Sequence, residues 1–187
     1  MKERILDLGI GEGGEYLLRD CPETNRVGVD KNFNILAHLF PESYKEKVTL
    51  LLVANAESNL PFADEVFDKV QISFPNDELL LGLCSSDFSL WAELNRVLKK
   101  DGSVDIYIDV PASDIRGVMV HGKAQRIEFP LSKIFSISES FGFRPISAKL
   151  SYENVQKLGT KFSLTAAEQM KLALIPDSLY YISAQKE

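Results

Sequence analysis

The sequence predicts an α/β fold, an open and mostly parallel sheet with helices wound over both faces. Three observations carry this expectation. Short apolar runs alternate with segments whose apolar residues recur at helical spacing. A glycine cluster breaks the first alternation, between a short apolar run and the segment after it. The run Val48 to Ala54 is apolar almost throughout, as expected of a strand covered on both faces.

Each element follows in order. Arg4 to Leu8 is a first strand, and Gly9-Ile10-Gly11-Glu12-Gly13-Gly14 forms the loop that opens a helix over about 14–21. Arg26 to Asp30 is a second strand ending in a carboxylate, followed by a helix from Phe33 to Leu39 that stops near Pro41. Val48 to Ala54 and Val66 to Ser73 are the third and fourth strands, and Pro75 punctuates the end of the latter. Phe88, Trp91, Leu94 and Leu98 share a helical face, and Lys99-Lys100-Asp101-Gly102 reads as that helix's C-terminus. Ser103 to Val110 is a fifth strand. Leu131, Ile134, Phe135 and Phe141 form another helical stripe ending at Gly142, before a sixth strand from Arg144 to Leu150. Residues 153 to 171 read as partly helical, and Leu179 to Ser183 closes the chain as a last strand.

Length and composition bound the classes of function. The 187 residues suit a single domain over 1–187, with 45% hydrophobic and 26% charged residues excluding a disordered or fibrous chain. The net charge of −6 leaves no overall basic footprint, so any nucleic-acid surface must be a local patch. Cys21 and Cys84, with only His38 and His121, lack metal-ligand spacing, so reduced structural thiols and no metal are expected. His38 lies among Leu36, Ala37, Leu39 and Phe40 and reads as a packing residue. The opening run is too short for a signal-peptide core or a membrane helix, which predicts a soluble, cytoplasmic protein with no membrane partner.

Gly9, Gly11 and Gly14 allow the backbone to approach a ligand and present amides at a helix start. Asp30, at the end of the second strand, can accept both ribose hydroxyls of a nucleoside or cap the next helix. A dinucleotide and S-adenosylmethionine both fit this pattern. Asp7 favours the latter, since an acid before the loop opposes a pyrophosphate but suits a cationic methyl donor. It could also bind the loop amides and stiffen the turn. Pro111 to Pro130 is the least regular stretch, and its Arg116, His121, Lys123 and Arg126 outnumber Asp114 and Glu128; it reads as an inserted substrate loop at 111–130.

Ile5 to Gly13 and Val27 to Asp30 resemble the first two motifs of class I S-adenosylmethionine-dependent methyltransferases. Asn55 to Phe62 with Phe67 to Val70, and Leu94 to Gly102, are similar to that family's adenine loop, fourth strand and fifth-strand approach. The resemblance implies a Rossmann-like, doubly wound, mostly parallel seven-stranded sheet with the last strand antiparallel. It also implies cofactor contacts from Asp7, Gly9, Gly11, Asp30, Lys31, Asn55, Ala56, Glu57 and Ser73. Where Asn55 stands the family commonly has aspartate, which leaves the adenine amino contact to Glu57 or to the Asn55 carbonyl.

Ala54 to Glu57, Gln71 to Pro75, Leu150 to Val155 and Thr160 to Phe162 also resemble aminoglycoside-resistance methyltransferases acting on a 16S rRNA adenine, and the fourth-strand end resembles tRNA guanine-N7 methyltransferases. The resistance enzymes clamp the base between two tryptophans, and the matching positions here are Asn76 and Phe162. Phe74, Pro75, Asn76 and Asp77 then lie at the methyl acceptor, where Asn76 or Asp77 could take a proton, or Asp77 could cap a helix from Glu78 to Leu83. Arg116, Lys123, Arg126 and Phe162 become candidate RNA contacts. A small-molecule methyltransferase, an NAD-dependent oxidoreductase and a non-catalytic cofactor-binding subunit remain open readings of the same residues.

Overall fold

A computed structural model describes residues 2–9, 25–38, 50–56, 59–73, 75–85, 90–109, 115–120, 123–128, 131–149 and 179–187. The strands are β1 (Arg4–Leu8), β2 (Asn25–Asp30), β3 (Leu50–Val53), β4 (Phe67–Ser73), β5 (Leu98–Asp109), β6 (Ile115–Val120), β7 (Lys123–Glu128), β8 (Phe143–Lys149) and β9 (Leu179–Lys186). The helices are α1 (Phe33–His38), α2 (Asp77–Leu83), α3 (Leu90–Val97) and α4 (Leu131–Ser140). Seven strands form one sheet in the order β3-β2-β1-β4-β5-β9-β8. The first five run parallel, and β9 lies antiparallel to both β5 and β8, so the expected seven-stranded sheet with its reversed last strand is present. The expected helices over 14–21 and 153–171 lie outside the described residues.

Register divides this sheet into two unlike faces. Val29, Leu8, Ile72, Ile106 and Ile182 stand side by side across five strands, and Val27, Leu6, Val70, Val104 and Ala184 form the row below. This apolar face receives α2, α3 and α4 through Leu79, Leu80, Leu83, Leu90, Trp91, Leu94, Val97, Ile134 and Ile137, which build the core. Trp91 Nε1 donates to the Leu83 carbonyl at 3.1 Å, tying α3 to α2, and its ring meets Phe143 at 5.2 Å. Cys84 is buried in the same core, and burial pushes its thiol pKa up to about 12, so it stays an inert thiol at neutral pH. Cys21 lies outside the described residues.

The intervening positions carry a polar row. Asp7, Gln71, Asp105 and Ser183 are register neighbours, and Asp7, Gln71 and Asp105 are all buried. A buried carboxylate needs a partner. One Arg26 nitrogen donates to both Asp7 oxygens at 3.1 and 3.0 Å, and Lys69 Nζ lies 3.2 Å from Asp105, whose other oxygen accepts from Tyr181 and Ser183 at 3.0 Å. Burial, and then the Asp105 charge, pushes the Tyr107 hydroxyl up to about 12, so this tyrosine stays neutral. The face opposite the core is therefore polar across β1, β4 and β5, unlike the continuously apolar run read at Val48 to Ala54.

Two expectations are corrected. Lys99 to Gly102 does not end a helix: α3 stops at Val97 and β5 begins at Leu98. Phe67 pairs with Leu98 and Lys69 with Ser103, so Lys99–Gly102 bulge opposite Asp68 alone. Asp101 takes a φ of 63° there, and a Cβ at Gly102 would sit 2.9 Å from the Lys99 carbonyl and 3.1 Å from the Asp68 carbonyl. The Asp-Gly pair that signals a helix end serves a strand bulge just as well. The end of α3 is instead satisfied from β9, where Lys186 Nζ donates to the Asn95 and Leu98 carbonyls at 2.8 and 2.9 Å. The second correction concerns 111–130. The stretch expected to be irregular contains the antiparallel pair β6–β7, a separate two-stranded sheet whose β6 lies against α2.

Arg96 on α3 organises the loop after β3. Its guanidinium donates to Glu93 Oε1 and Oε2 at 2.9 and 2.7 Å, and to the Phe62 and Leu60 carbonyls at 2.7 and 2.9 Å; it also reaches Asp64 at 2.9 Å. Glu93 Oε2 accepts from Leu60 N at 2.8 Å, closing the clasp. Hydrogen bonding from Arg96, against a smaller opposing effect of burial, holds the Glu93 carboxyl below the usual carboxylate range. Its stabilising effect is thus complete above the unfolded pKa and is lost as pH falls through the lower folded value. Glu93→Gln should cost about 1–3 kcal/mol at pH 7. The difference from wild type should narrow below about pH 4, as read by urea unfolding at each pH.

Candidate functional site

The order of strands reverses between β1 and β4: from β1 the chain proceeds to β2 and β3 on one side, and from β4 to β5 on the other. Ligands of such sheets bind where the C-terminal strand ends meet this reversal. A crevice of about 310 Å³, counting space open to solvent, lies there. Gly9 and Val29 form its floor, Asp30, Lys31, Ala54, Asn55 and Ala56 one wall, and Asn76 and Leu79 the other.

Each wall has a local cause. Gly9 turns the chain out of β1 at a φ of +64°, and its N–H donates to the Val29 carbonyl at 2.9 Å. A Cβ at this position would lie 2.9 Å from Leu79 Cδ2, so the turn is closed to side chains from two directions. Asp30 ends β2 nearly buried, and its Oδ1 accepts from Asn32 N at 2.8 Å. Asn32 in turn accepts from Asn34 N at 3.0 Å, so Asn32, not Asp30, caps α1. Ala54 N donates to the Asp30 carbonyl at 3.1 Å, which fixes the adjoining wall to β2. Across the crevice Asn76 caps α2, its Oδ1 accepting from Leu79 N at 2.9 Å; the cap expected of Asp77 belongs to Asn76, and the helix starts at Asp77.

Of the residues singled out from sequence, Gly9, Asp30, Lys31, Asn55, Ala56 and Asn76 line this one crevice. Asp7 does not line it. It lies in β1 two residues before the turn, beside Gly28 in register, 1% exposed and paired with Arg26. Ser73 accepts from Gln71 Nε2 at 3.2 Å and stands outside the lining, as does the buried Pro75. Gly11, Glu57, Phe74 and Phe162 lie outside the described residues, as do the side chains of Asp77, Arg116, Lys123 and Arg126. The backbone register of β6 and β7 sets Arg116 beside Ile127 and Gly117 beside Arg126, so Arg116 and Arg126 fall on opposite faces of the ribbon.

Sequence reading missed Val29, Leu79, Arg26 and Glu78. The alternation Arg26, Gly28, Asp30 on one face of β2 could have exposed the first cation. Nothing local marks Glu78, whose ion-pair partner Lys31 lies far away in sequence. Among the described residues no cluster of three metal-ligating side chains occurs, and no helix is long and apolar enough to cross a membrane.

The crevice fits a nucleoside bearing an amino-acid chain: a carboxylate stands at the end of β2, a side-chain-free turn beneath, and amide side chains on both walls. Gly9→Ala should lower stability by about 1–3 kcal/mol and the Tm by roughly 3–8 °C in thermal unfolding. Leu79→Ala is itself a core truncation, so it should cost less in the Gly9→Ala background than in wild type, and that difference measures the part of the loss owed to the contact.

Comparison with known proteins agrees with this geometry. A crystal structure of an S-adenosylmethionine-dependent methyltransferase from Mesorhizobium loti superposes with a TM-score of 0.64 at 14% identity, covering 99% of this chain and 91% of that one. The 16S rRNA methyltransferase KamB gives 0.68 at 15% identity, covering 99% and 88%. The antibiotic-resistance methyltransferase Kmr gives 0.66 at 13%, covering 99% and 87%. At such identities these likenesses speak for the fold. No curated protein matches in sequence. The family profile described as "Methyltransferase domain" matches residues 6–106, from within β1 into β5 and so across the whole crevice, and the chain accordingly belongs to that S-adenosylmethionine-dependent methyltransferase family.

Proposed function

We propose that the chain methylates an RNA base, with the crevice holding the donor and the β6–β7 ribbon meeting the acceptor. The observation that carries the donor half is the convergence of Gly9, Asp30, Asn55, Ala56 and Asn76 at the strand-order reversal. Bound S-adenosylmethionine supplies an electrophilic methyl carbon. The protein's share is to orient, exclude water and leave the line of attack open. Asp30 would accept the ribose hydroxyls, and Ala54 to Ala56 would form the adenine wall, to which the resemblance adds a contact from Glu57. Gly9, whose own N–H is taken by Val29, would let the backbone come close to the amino-acid end without a side chain, and the resemblance assigns Gly11 a further contact there.

Asp7 acts through the turn rather than on the ligand, because its carboxylate is already committed to Arg26. Asn76 has its carbonyl engaged in the α2 cap, which suits it to donate through Nδ2 and to orient an acceptor, not to remove a proton. The resemblance would add Phe74 and Asp77 to the acceptor side and Phe162 as a stacking partner, whereas Pro75 is buried and outside the crevice lining. No strong base is needed for a ring nitrogen that attacks through its own lone pair.

The RNA reading is supported by the fold likeness to KamB and Kmr and by the contact of β6 with α2, the helix that Asn76 begins. Arg116 and Lys123, at positions sharing one face of that ribbon, would take phosphates together, and Arg126 would do so from the other face. The net charge of −6 favours a second reading, a small-molecule acceptor. Incubation with labelled S-adenosylmethionine and fractionated extract decides between them: label in RNA upholds the first, label in small molecules the second.

Asp30→Asn keeps the Asn32 contact but removes the charge, and should weaken S-adenosylmethionine binding about 10- to 100-fold by calorimetry. Neutralising Arg116, Lys123 and Arg126 together should make the slope of log RNA affinity against log salt shallower by about 1–2, since Arg126 stands on the other face of the ribbon from the first two. An unchanged slope would remove the ribbon from the RNA interface.

A further inference from the structure

Lys31 and Glu78 form an ion pair that joins the two walls of the crevice. Lys31 follows Asp30 at the end of β2, and Glu78 lies in the first turn of α2, so the pair spans the end of β1 above the Gly9 turn. Both residues are surface groups, with side chains 45% and 30% exposed. Lys31 also lines the crevice itself. A lysine there is an awkward neighbour for a site whose ligand carries a positive sulfonium, since like charges across a partly enclosed space repel.

We propose that Glu78 is a specificity-determining residue of the crevice: by neutralising Lys31 it allows the cationic donor in and sets its advantage over the uncharged thioether product. The inference rests on the reading of the crevice as the S-adenosylmethionine site. Donor and product share adenosine and amino-acid groups and differ by one methyl and one charge. A residue that acts by charge must therefore move their affinity ratio, whereas a residue that only straps the walls together must move both affinities alike.

The two partners of the pair should then act in opposite directions. Glu78→Gln leaves the Lys31 charge uncompensated and should reduce the preference for S-adenosylmethionine over S-adenosylhomocysteine by about two- to fivefold, the size of an exposed single-charge interaction. Lys31→Met leaves the Glu78 charge uncompensated and should raise that preference by a similar factor. The double variant should return near the wild-type ratio, and all three shifts should shrink in high salt as the charges are screened.

Calorimetric titration of wild type and the three variants with each of the two nucleosides tests this. Opposite shifts in the single variants uphold the proposal. An unmoved ratio, or the same direction of change in both single variants, overturns it while leaving the crevice assignment intact. Wild-type protein that binds neither nucleoside removes the crevice reading and the proposal together.

Discussion

The turn at Gly9 is the constraint on which the site depends. β1 must end, reverse away from the sheet and leave its end open, all within one residue of the core. The positive φ and the hydrogen bond to Val29 accomplish this, and the contact with Leu79 determines how closely α2 can approach. Any side chain at position 9 would push α2 outward and strain the backbone together. The crevice is thus defined by what this position lacks, and its two walls are set by elements that meet only because the turn is thin.

Around that turn the sheet solves a second problem. Its apolar face packs three helices in ordinary fashion, but the opposite face carries Asp7, Gln71 and Asp105 out of water. Ion pairs with Arg26 and Lys69 neutralise the two carboxylates within the sheet. Such pairs add little net stability compared with an apolar core, yet breaking one leaves a buried charge behind. The Asp7 pair lies two residues before the Gly9 turn on which the crevice depends, so its geometry matters more than its energy.

The wall after β3 has no regular structure of its own and is held from outside. Arg96 and Glu93 reach from α3 to the carbonyls and amide of Leu60 and Phe62, replacing the ladder bonds a strand would have made. The clasp connects the core helix to the loop that continues from Ala56. Stability of α3 and the shape of that wall are therefore coupled.

Sequence by itself determined the seven strands of the main sheet, the glycine turn, the terminal carboxylate of β2 and the family, because these are written in local periodicity, turn chemistry and ordered motifs. Six of the residues chosen in this way, among them Gly9, Asp30 and Asn76, line one crevice. Other features depended on distance in space. Asp7 reads from sequence as a ligand to a cation, and only the neighbouring strand reveals Arg26 already in place. Asp101-Gly102 reads as a helix end, and only the pairing with β4 makes it a bulge. The ion pair of Lys31 with Glu78 leaves no local trace, since its cause is the meeting of two elements at the sheet's reversal. Backbone preferences are short-ranged and legible along the chain, whereas charge compensation is decided by whichever partner the packed fold brings near.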